Sequence, residues 1–419
     1  MSGSSDRVSA HGAHGAPGTR FRPDQMGRAT PPPSDASDRP VVVFGLLQAG
    51  LSFARSLGRA GVEVHGVTLH DTDFGIASRY LRSRHVFPEG LADRDALVVR
   101  TMRRLAAGRR LVLIPERDDH VGFVLDHWDE IAEFADVPLP ADPDATMSLR
   151  RKERLVEVAE RAEVAAPHTV FADCEETIAG AALHPPFILK PAEGQGYALT
   201  FGEKAVVADS VDSACATWRR AHDAGFEMLV QELIPDSHEH VDSLLVYIAR
   251  DGQPLAAVVG RKVRQGPLRF GSSAFFEIDY DPRVIESGMR LLESAGYTGF
   301  AHVEFAYDRR DDTYKLLEVN TRPPVWIGIA VNRWFDIARV AYDDLCGRPG
   351  GACRVLRDRL SWVYLAKDAY VSYQLARRGE LDWQALAAQY LRRHKVSAVF
   401  AADDLRPVLA SIAYLRSRV

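Results

Sequence analysis

The chain has 419 residues, 46% hydrophobic and 26% charged, with a formal net charge of −5. That is globular composition, long enough for two or three domains, and it leaves no overall basic field for nucleic acid. The cysteines, Cys174, Cys215, Cys346 and Cys353, form no CxxC pair and have no clustered histidine partners, which argues against a zinc site or a disulfide scaffold and suits a reducing compartment.

Residues 1–39 hold Gly, Ser, Pro, His and Asp with almost no large apolar side chains. Too little surface can be buried there to offset ordering, so a disordered tail is expected, with His11 and His14 solvated. The N-terminus lacks the apolar core of a signal peptide, and apolar runs such as VVVFGLL at 41–47 are too short to span a bilayer. A cytoplasmic protein without membrane contact is the expectation. From residue 41 the chain reads as a βαβ unit, with a further strand LVLIP at 111–115. Gly45, Gly50, Gly58 and Gly61 do not match GxGxxG, so dinucleotide binding is a weak reading. Residues 40–145 are expected to form a parallel α/β domain.

From about residue 146 the pattern becomes α+β. LRRKERLVEVAERAEV is an amphipathic helix; FILKP, MLVQELI, DSLLVYIAR and PLAAVVGRKVR read as strands, and PRVIESGMRLLESAG as a helix stopping at Gly296. GFAHVEFAYD and TYKLLEVN, separated by RRDD, form a hairpin pattern. Residues 346–419 read as a helical extension.

The hairpin carries the chemistry. Alternation along a strand puts Leu316, Glu318 and Asn320 on one face, entering an apolar layer before meeting the charges. Closure at residues 309–312 brings Glu304 opposite Glu318 or one diagonal step away, where like charges destabilise the pair unless a cation sits between them. Two carboxylates and the Asn320 amide oxygen make a hard oxygen set suited to Mg²⁺, or Mn²⁺ in its place, bridging phosphate oxygens. Singly, Glu304 or Glu318 also fits a solvent-facing sheet residue paired with an arginine. His302 shares the face of Glu304 and fits a packed strand residue.

Lys190 ends an apolar strand before a loop containing Gly194 and Gly196, whose backbone N–H groups can approach an anion closely. Lys152 begins the preceding helix. In MLVQELIP, the backbone of Glu232 and Leu233 offers an acceptor and a donor at the spacing of an adenine edge, and Glu239 is placed for ribose hydroxyls. An ordinary edge strand and a solvated glutamate fit those residues too. Arg261, Lys262 and Arg264 form either a solvated rim or a charge-stabilising group beside phosphate.

The order of these parts, above all VEF at 303–305 followed by LLEVNTRP at 316–323, resembles the ATP-grasp superfamily. Within it the chain is similar to the carboxylate–amine ligases related to D-aspartate ligases and predicted ATP-dependent carboligases. The resemblance covers about residues 40–345 and implies a fold of class α/β and α+β. Its parts are an N-terminal parallel α/β (pre-ATP-grasp) domain at 40–145 and a two-lobed ATP-grasp module at 146–345, with a small lobe at about 146–232 and a large lobe at about 233–345. A helical C-terminal extension follows at 346–419. Carried over by position, Lys152 and Lys190 would bind the α- and β-phosphates of ATP, Gln231, Glu232 and Leu233 the adenine, and Glu239 the ribose. Glu304, Glu318 and Asn320 would hold Mg²⁺, and Arg322, with Arg261 and Arg264, the γ-phosphate or acyl-phosphate. The loop AEGQGYALT departs from a dense glycine run.

The resemblance implies joining a small-molecule carboxylate to an amine through an acyl-phosphate, with release of ADP and phosphate, and without nucleic acid or membrane. Ligases of this kind are often dimers, so a homodimer is an expectation. An ATP-grasp enzyme with a non-amide product and a non-catalytic nucleotide sensor are the alternatives. The C-terminal YLRRHK and YLRSRV are too short to form a nucleic-acid stripe.

Overall fold

The computed structural model describes residues 39–192, 194–237, 241–348, 350–391 and 394–416; His11, His14 and Glu239 lie outside them. The N-terminal sheet contains β1 (Val41–Phe44), β2 (Val64–Thr68), β3 (Ser83–Val86), β4 (Leu111–Pro115) and β5 (Ala135–Asp136), all parallel, in the order β3-β2-β1-β4-β5. β1 and β4 are buried along their whole length, as parallel strands covered on both faces are. Arg39, assigned to the tail by composition, is instead anchored: it ion-pairs with Asp136 and donates to the Leu345 carbonyl.

The turn after β1 explains the missing dinucleotide fingerprint. It leads into the helix Gln48–Arg59, whose free N–H groups would face phosphate in a dinucleotide fold. Here the Glu116 carboxylate accepts from the N–H of Leu47 (2.8 Å) and Ala49 (3.1 Å), so the protein fills the anion position itself. Burial and the nearby Asp73 push that carboxyl up to about 7. Gly45 is required for a different reason: its φ is +96°, and a Cβ there would lie 2.4 Å from the His120 ring.

The small lobe is an antiparallel sheet of β6 (Thr169–Ala172), β7 (Phe187–Pro191), β8 (Val206–Ala208) and β9 (Met228–Glu232), in the order β6-β9-β7-β8. Its core is built from residues between Ile178 and Val230. The segment after Lys190 is the helix Gly194–Phe201 rather than an open glycine loop. Tyr197 and Phe201 pack together (4.7 Å between centroids) and against Phe226, and that apolar face holds the segment helical.

The third sheet contains β10 (Val241–Ile248), β11 (Pro254–Gly266), β12 (Ser272–Ile278), β13 (Gly299–Asp308), β14 (Thr313–Asn320), β15 (Arg354–Leu356), β16 (Ser361–Val363) and β17 (Lys395–Ser397). The path is β14-β13-β10-β11-β12-β16-β17, with β15 beside β11. The C-terminal segment is therefore not purely helical. It supplies three strands as well as the helices Leu365–Arg378, Trp383–Leu391 and Arg406–Arg416. Strands of three residues carry no readable period.

β10 is buried throughout. Leu244 and Val246 point into one core and Leu245 and Tyr247 into the other, and each core also includes side chains of the N-terminal sheet. The helix Lys152–Arg161, placed in the small lobe on sequence, packs elsewhere. Its Leu155, Val158 and Ala159 share a core with Val303, Phe305 and Leu316 of the large sheet, because its apolar stripe meets that sheet's helix-covered face.

Candidate active site

The hairpin brings the two carboxylates together. β13 and β14 close through residues 309–312, and Glu304 stands directly opposite Glu318. The strict alternation expected along β14 fails just before Glu318. The register slips between the pairs Glu304↔Glu318 and Phe305↔Leu316, leaving Leu317 as an extra residue, as in a β-bulge. Glu304 and Phe305 point to opposite faces of β13, so their partners do as well. Leu316 is buried with Phe305 in the helix-covered core, whereas Glu318 is exposed and turns to the other face.

The apolar-to-charged transition expected on the face of Glu318 occurs instead along β13. Phe300 is buried in a core shared with the N-terminal domain, His302 stands edge-on to Trp326 (5.5 Å), and Glu304 opens the charged cleft. Burial, with Arg322 and Lys262 nearby, pushes the His302 imidazole down to about 3, so this ring is a neutral packed residue at ordinary pH.

From Glu318 a chain of polar contacts crosses the cleft. Asn320 Nδ2 donates to Glu318 Oε1 (3.0 Å), and Arg322 Nη2 donates to Asn320 Oδ1 (3.0 Å). The same Nη2 donates to Asp118 Oδ2 (2.7 Å) at the start of the helix Asp118–Asp126, so the C-terminal edge of the N-terminal sheet forms one wall. Burial works to raise Asp118, but Arg322 and Arg150 together outweigh it and hold the carboxyl below its ordinary value. Arg322 Nε is buried and has no hydrogen-bond partner. A buried unsatisfied donor is costly and marks room for a ligand oxygen. Glu304 and Glu318 with the Asn320 amide oxygen are a donor set that fits a hard divalent cation.

Of the three cations of β11, Lys262 is the one that reaches the carboxylates. It lies on the face of Glu304, with Nζ 3.0 Å from Glu304 Oε1. Burial works to raise the Glu304 carboxyl, and Lys262, Glu318 and Arg322 together hold it below its ordinary value. The residues on either side diverge from it. Arg261 pairs with Asp242 (3.2 Å) and Asp279 (3.1 Å); Asp242 is opposite Phe305, so Arg261 sits on the far face of the sheet. Arg264 follows a register shift in β11. Its guanidinium is held by Asp368 (2.7 and 2.9 Å) and Gln389 and lies over the Phe275 ring. Arg264 therefore ties the C-terminal helix Leu365–Arg378 to β11 instead of facing the carboxylates. Its replacement by alanine would leave Asp368 buried without its cation, at a cost of about 3–5 kcal/mol. Urea unfolding should show that loss; an unchanged midpoint would contradict this assignment.

The opposite wall comes from the two lysines. Lys190 Nζ donates to Gln231 Oε1 (2.8 Å), and Gln231 Nε2 donates to Thr169 Oγ1 (2.8 Å). Gln231 is thus a side chain that positions Lys190. Lys152 donates to the Pro191 carbonyl. Burial lowers both ammonium groups: Lys190 also feels Glu318 and Glu304, and Lys152 feels Lys190 and Glu318. Glu232 points its carboxylate away, to Arg310 (2.5 Å) of the hairpin turn, and its N–H to the His168 carbonyl (2.9 Å). Leu233 follows at the end of β9, half-buried on the link toward the large sheet. Lysines on one side and carboxylates on the other are brought together between two sheets, a geometry suited to a polyanion with its divalent cation.

No family model matches the chain. Over 249 residues it is 28% identical to the D-aspartate ligase of Enterococcus faecium, covering 55% of this chain and 59% of that protein. Among solved structures, the ADP complex of an N5-carboxyaminoimidazole ribonucleotide synthetase superposes with a TM-score of 0.59 at 14% identity, over 76% of this chain and 80% of that one. Biotin carboxylase of Campylobacter jejuni gives a TM-score of 0.59 at 16% identity, over 75% and 72%. The chain has the ATP-grasp fold. An L-amino acid ligase of Bacillus licheniformis shares it, with a TM-score of 0.55 at 13% identity, over 73% and 74%. The carboxylate hairpin belongs to the large sheet, and Lys190 with Gln231 to the β6–β9 sheet. Among the described residues, no helix is long and apolar enough to cross a membrane.

Proposed function

We propose that the chain is an ATP-dependent carboxylate–amine ligase. The observation that carries this reading is the direct opposition of Glu304 and Glu318 across the hairpin, continued by Asn320 and Arg322 and faced by Lys152 and Lys190. The likeness to D-aspartate ligase over part of its length supports small-molecule substrates, a carboxylic acid and an amine. In this reading Lys152 and Lys190 bind the α- and β-phosphates, Gln231 keeps Lys190 in place, and the β9 end at Glu232 and Leu233 borders the adenine. Glu304, Glu318 and Asn320 hold Mg²⁺, and Mn²⁺ suits the same oxygen set. When bound, the ion neutralises phosphate charge.

Arg322 and Lys262 lie where the γ-phosphoryl group meets the substrate carboxylate. Phosphoryl transfer needs chiefly positioning and charge stabilisation, which these cations supply without a nucleophilic side chain. The carboxylate oxygen takes the phosphoryl group from ATP, leaving ADP. The amine then attacks the acyl carbon, an amide forms and phosphate departs. Purified protein with ATP, Mg²⁺ and a matrix of small acids and amines should release ADP and phosphate and yield an amide by mass spectrometry. ADP release with a carboxylated product instead would overturn the amide assignment.

A pH dependence follows from Lys152. Burial and Lys190 push its ammonium down to about 8, so the free protein loses that charge as the pH rises through 8. A bound polyphosphate favours the charged form, so affinity is lost in the same direction. Calorimetric titration of ATP should show binding about tenfold weaker at pH 9 than at pH 7; equal affinities would remove Lys152 from the phosphate site.

A further inference from the structure

Unsatisfied buried polar atoms also gather at the C-terminal edge of the N-terminal sheet. His120 is fully buried, and neither of its ring nitrogens has a hydrogen-bond partner. A group of that kind costs free energy unless something binds it. The ring packs on Phe44 (4.3 Å between centroids) and beside Gly45, where a Cβ would lie 2.5 Å from its Nδ1. His70, just beyond the end of β2, and Asp119, just beyond the end of β4, meet it there. One ring nitrogen of each histidine and one Asp119 oxygen all lie within 4.8 Å of one another, the only such group of histidine, cysteine and carboxylate side chains among the described residues. The three flank the end of β1, which lies between β2 and β4. In an open parallel sheet, ligands bind at the strand ends where the strand order reverses.

The arrangement suits a cation. His70 Nε2 is 2.8 Å from Asp119 Oδ2. Arg117 Nη2 lies against the same nitrogen and donates to the same oxygen (2.8 Å). A guanidinium has no lone pair to offer, so the His70 lone pair faces it. A cationic group thus already stands between a nitrogen and an oxygen that would otherwise repel. Arg117 is part-exposed and has a second place to go, since its Nη1 is 3.7 Å from Asp73 Oδ1, a buried oxygen with no hydrogen-bond partner. Burial pushes the His120 imidazole down to about 3, which leaves it neutral and able to ligate. Around a tetrahedral ion with bonds of about 2.0–2.2 Å, ligand atoms stand about 3.4 Å apart. The separations of 2.8 Å and up to 4.8 Å bracket that spacing.

We infer that His70, Asp119 and His120 bind a zinc ion, distinct from the cation held at Glu304 and Glu318. Two imidazoles and one carboxylate suit zinc better than magnesium. None of the ligands is a cysteine, and His70 and Asp119 are 49 positions apart, so no motif spacing announces the site. The ion takes the place of Arg117 Nη2, and the guanidinium moves onto Asp73. It ties the loop after β2 to the helix Asp118–Asp126, whose Asp118 holds Arg322. Nothing in this site depends on the ligase reading of the cleft.

The full-length protein, stripped with a chelator and free of nucleotide, is titrated with Zn²⁺ against a chromogenic competitor. Wild type should take up one equivalent with a Kd below about 1 μM, and excess Mg²⁺ should not displace it. His70→Ala and His120→Leu should each weaken that uptake at least about a hundredfold. Co²⁺ in place of zinc should give visible d–d bands that both variants lose. Thermal unfolding of the stripped proteins checks the fold: His120→Leu replaces an unsatisfied buried group with an apolar one of similar size and should be no less stable than wild type. If it does not fold, His70→Ala, at a part-exposed position, decides the matter by the same titration. No tight uptake by wild type, or uptake unchanged in the folded variants (an adventitious ion only), overturns the inference.

Discussion

Replacing Glu318 with alanine is expected to abolish ATP-dependent turnover, by at least about a thousandfold, while leaving the fold in place. The two halves of this expectation have separate physical sources. Glu318 is exposed at the mouth of the cleft, and its side chain accepts one hydrogen bond, from Asn320. Surface substitutions of this kind change stability by about 0.5 kcal/mol or less, and removing one of two opposed carboxylates also relieves repulsion across the hairpin. Catalysis responds in the opposite sense. With one carboxylate gone, the remaining oxygen donors are Glu304, already paired with Lys262, and the Asn320 amide, a poor set for a hard dication. The stabilisation of the transferring phosphoryl group falls with it, and electrostatic terms of this kind carry about two to five orders of magnitude in rate. ADP release and urea unfolding, measured on the same preparation, decide the matter. Near-normal turnover would remove the metal assignment, and a collapsed fold would make Glu318 a structural residue.

The second large effect is expected at Arg322. Its Nη2 joins Asp118 of the N-terminal domain to Asn320 of the hairpin, and its buried Nε faces no protein partner. Arg322→Lys keeps the charge but loses the planar fork that lets one side chain hold those two oxygens and still donate to a third. The rate of the chemical step should fall about a hundred- to a thousandfold, with a smaller change in the KM for ATP, because Lys152 and Lys190 remain. Arg150 lies 3.5 Å from Asp118 and keeps that carboxylate paired, so the fold should survive. Single-turnover kinetics distinguish the outcomes: a defect confined to the KM for ATP would make Arg322 a nucleotide-binding residue and nothing more.

Much of the site was legible in the chain because local rules set it. A hairpin with a polar turn at 309–312 brings Glu304 within one step of Glu318; strict mirroring would set Leu317 opposite Glu304, and the bulge at Leu317 puts Glu318 there instead. At the turn after β1, where GxGxxG is missing, a carboxylate from residue 116 meets the helix N-terminus, a contact between residues far apart in sequence. Where alternation alone was followed, it misled. The bulge at Leu317 breaks the period of two, and the register shifts in β11 after Lys262 turn Arg264 away from the face that Lys262 occupies, where alternation would have left it. Bulges are decided by how a strand fits both neighbours, which a one-dimensional pattern does not contain.

The C-terminal segment shows the same limit on a larger scale. Its helices were readable from composition and period, but β15, β16 and β17 are three residues each and exist because the edge of an already formed sheet accepts them. Sequence by itself determined the layered α/β architecture, the carboxylate hairpin and the lysine that ends β7, since each depends on periodicity or on residues close along the chain. Tertiary structure alone decided that Asp118 of the N-terminal domain reaches Arg322 and that Gln231 holds Lys190 across neighbouring strands of one sheet. Those contacts join residues 204 and 41 positions apart in sequence, and no local pattern contains them.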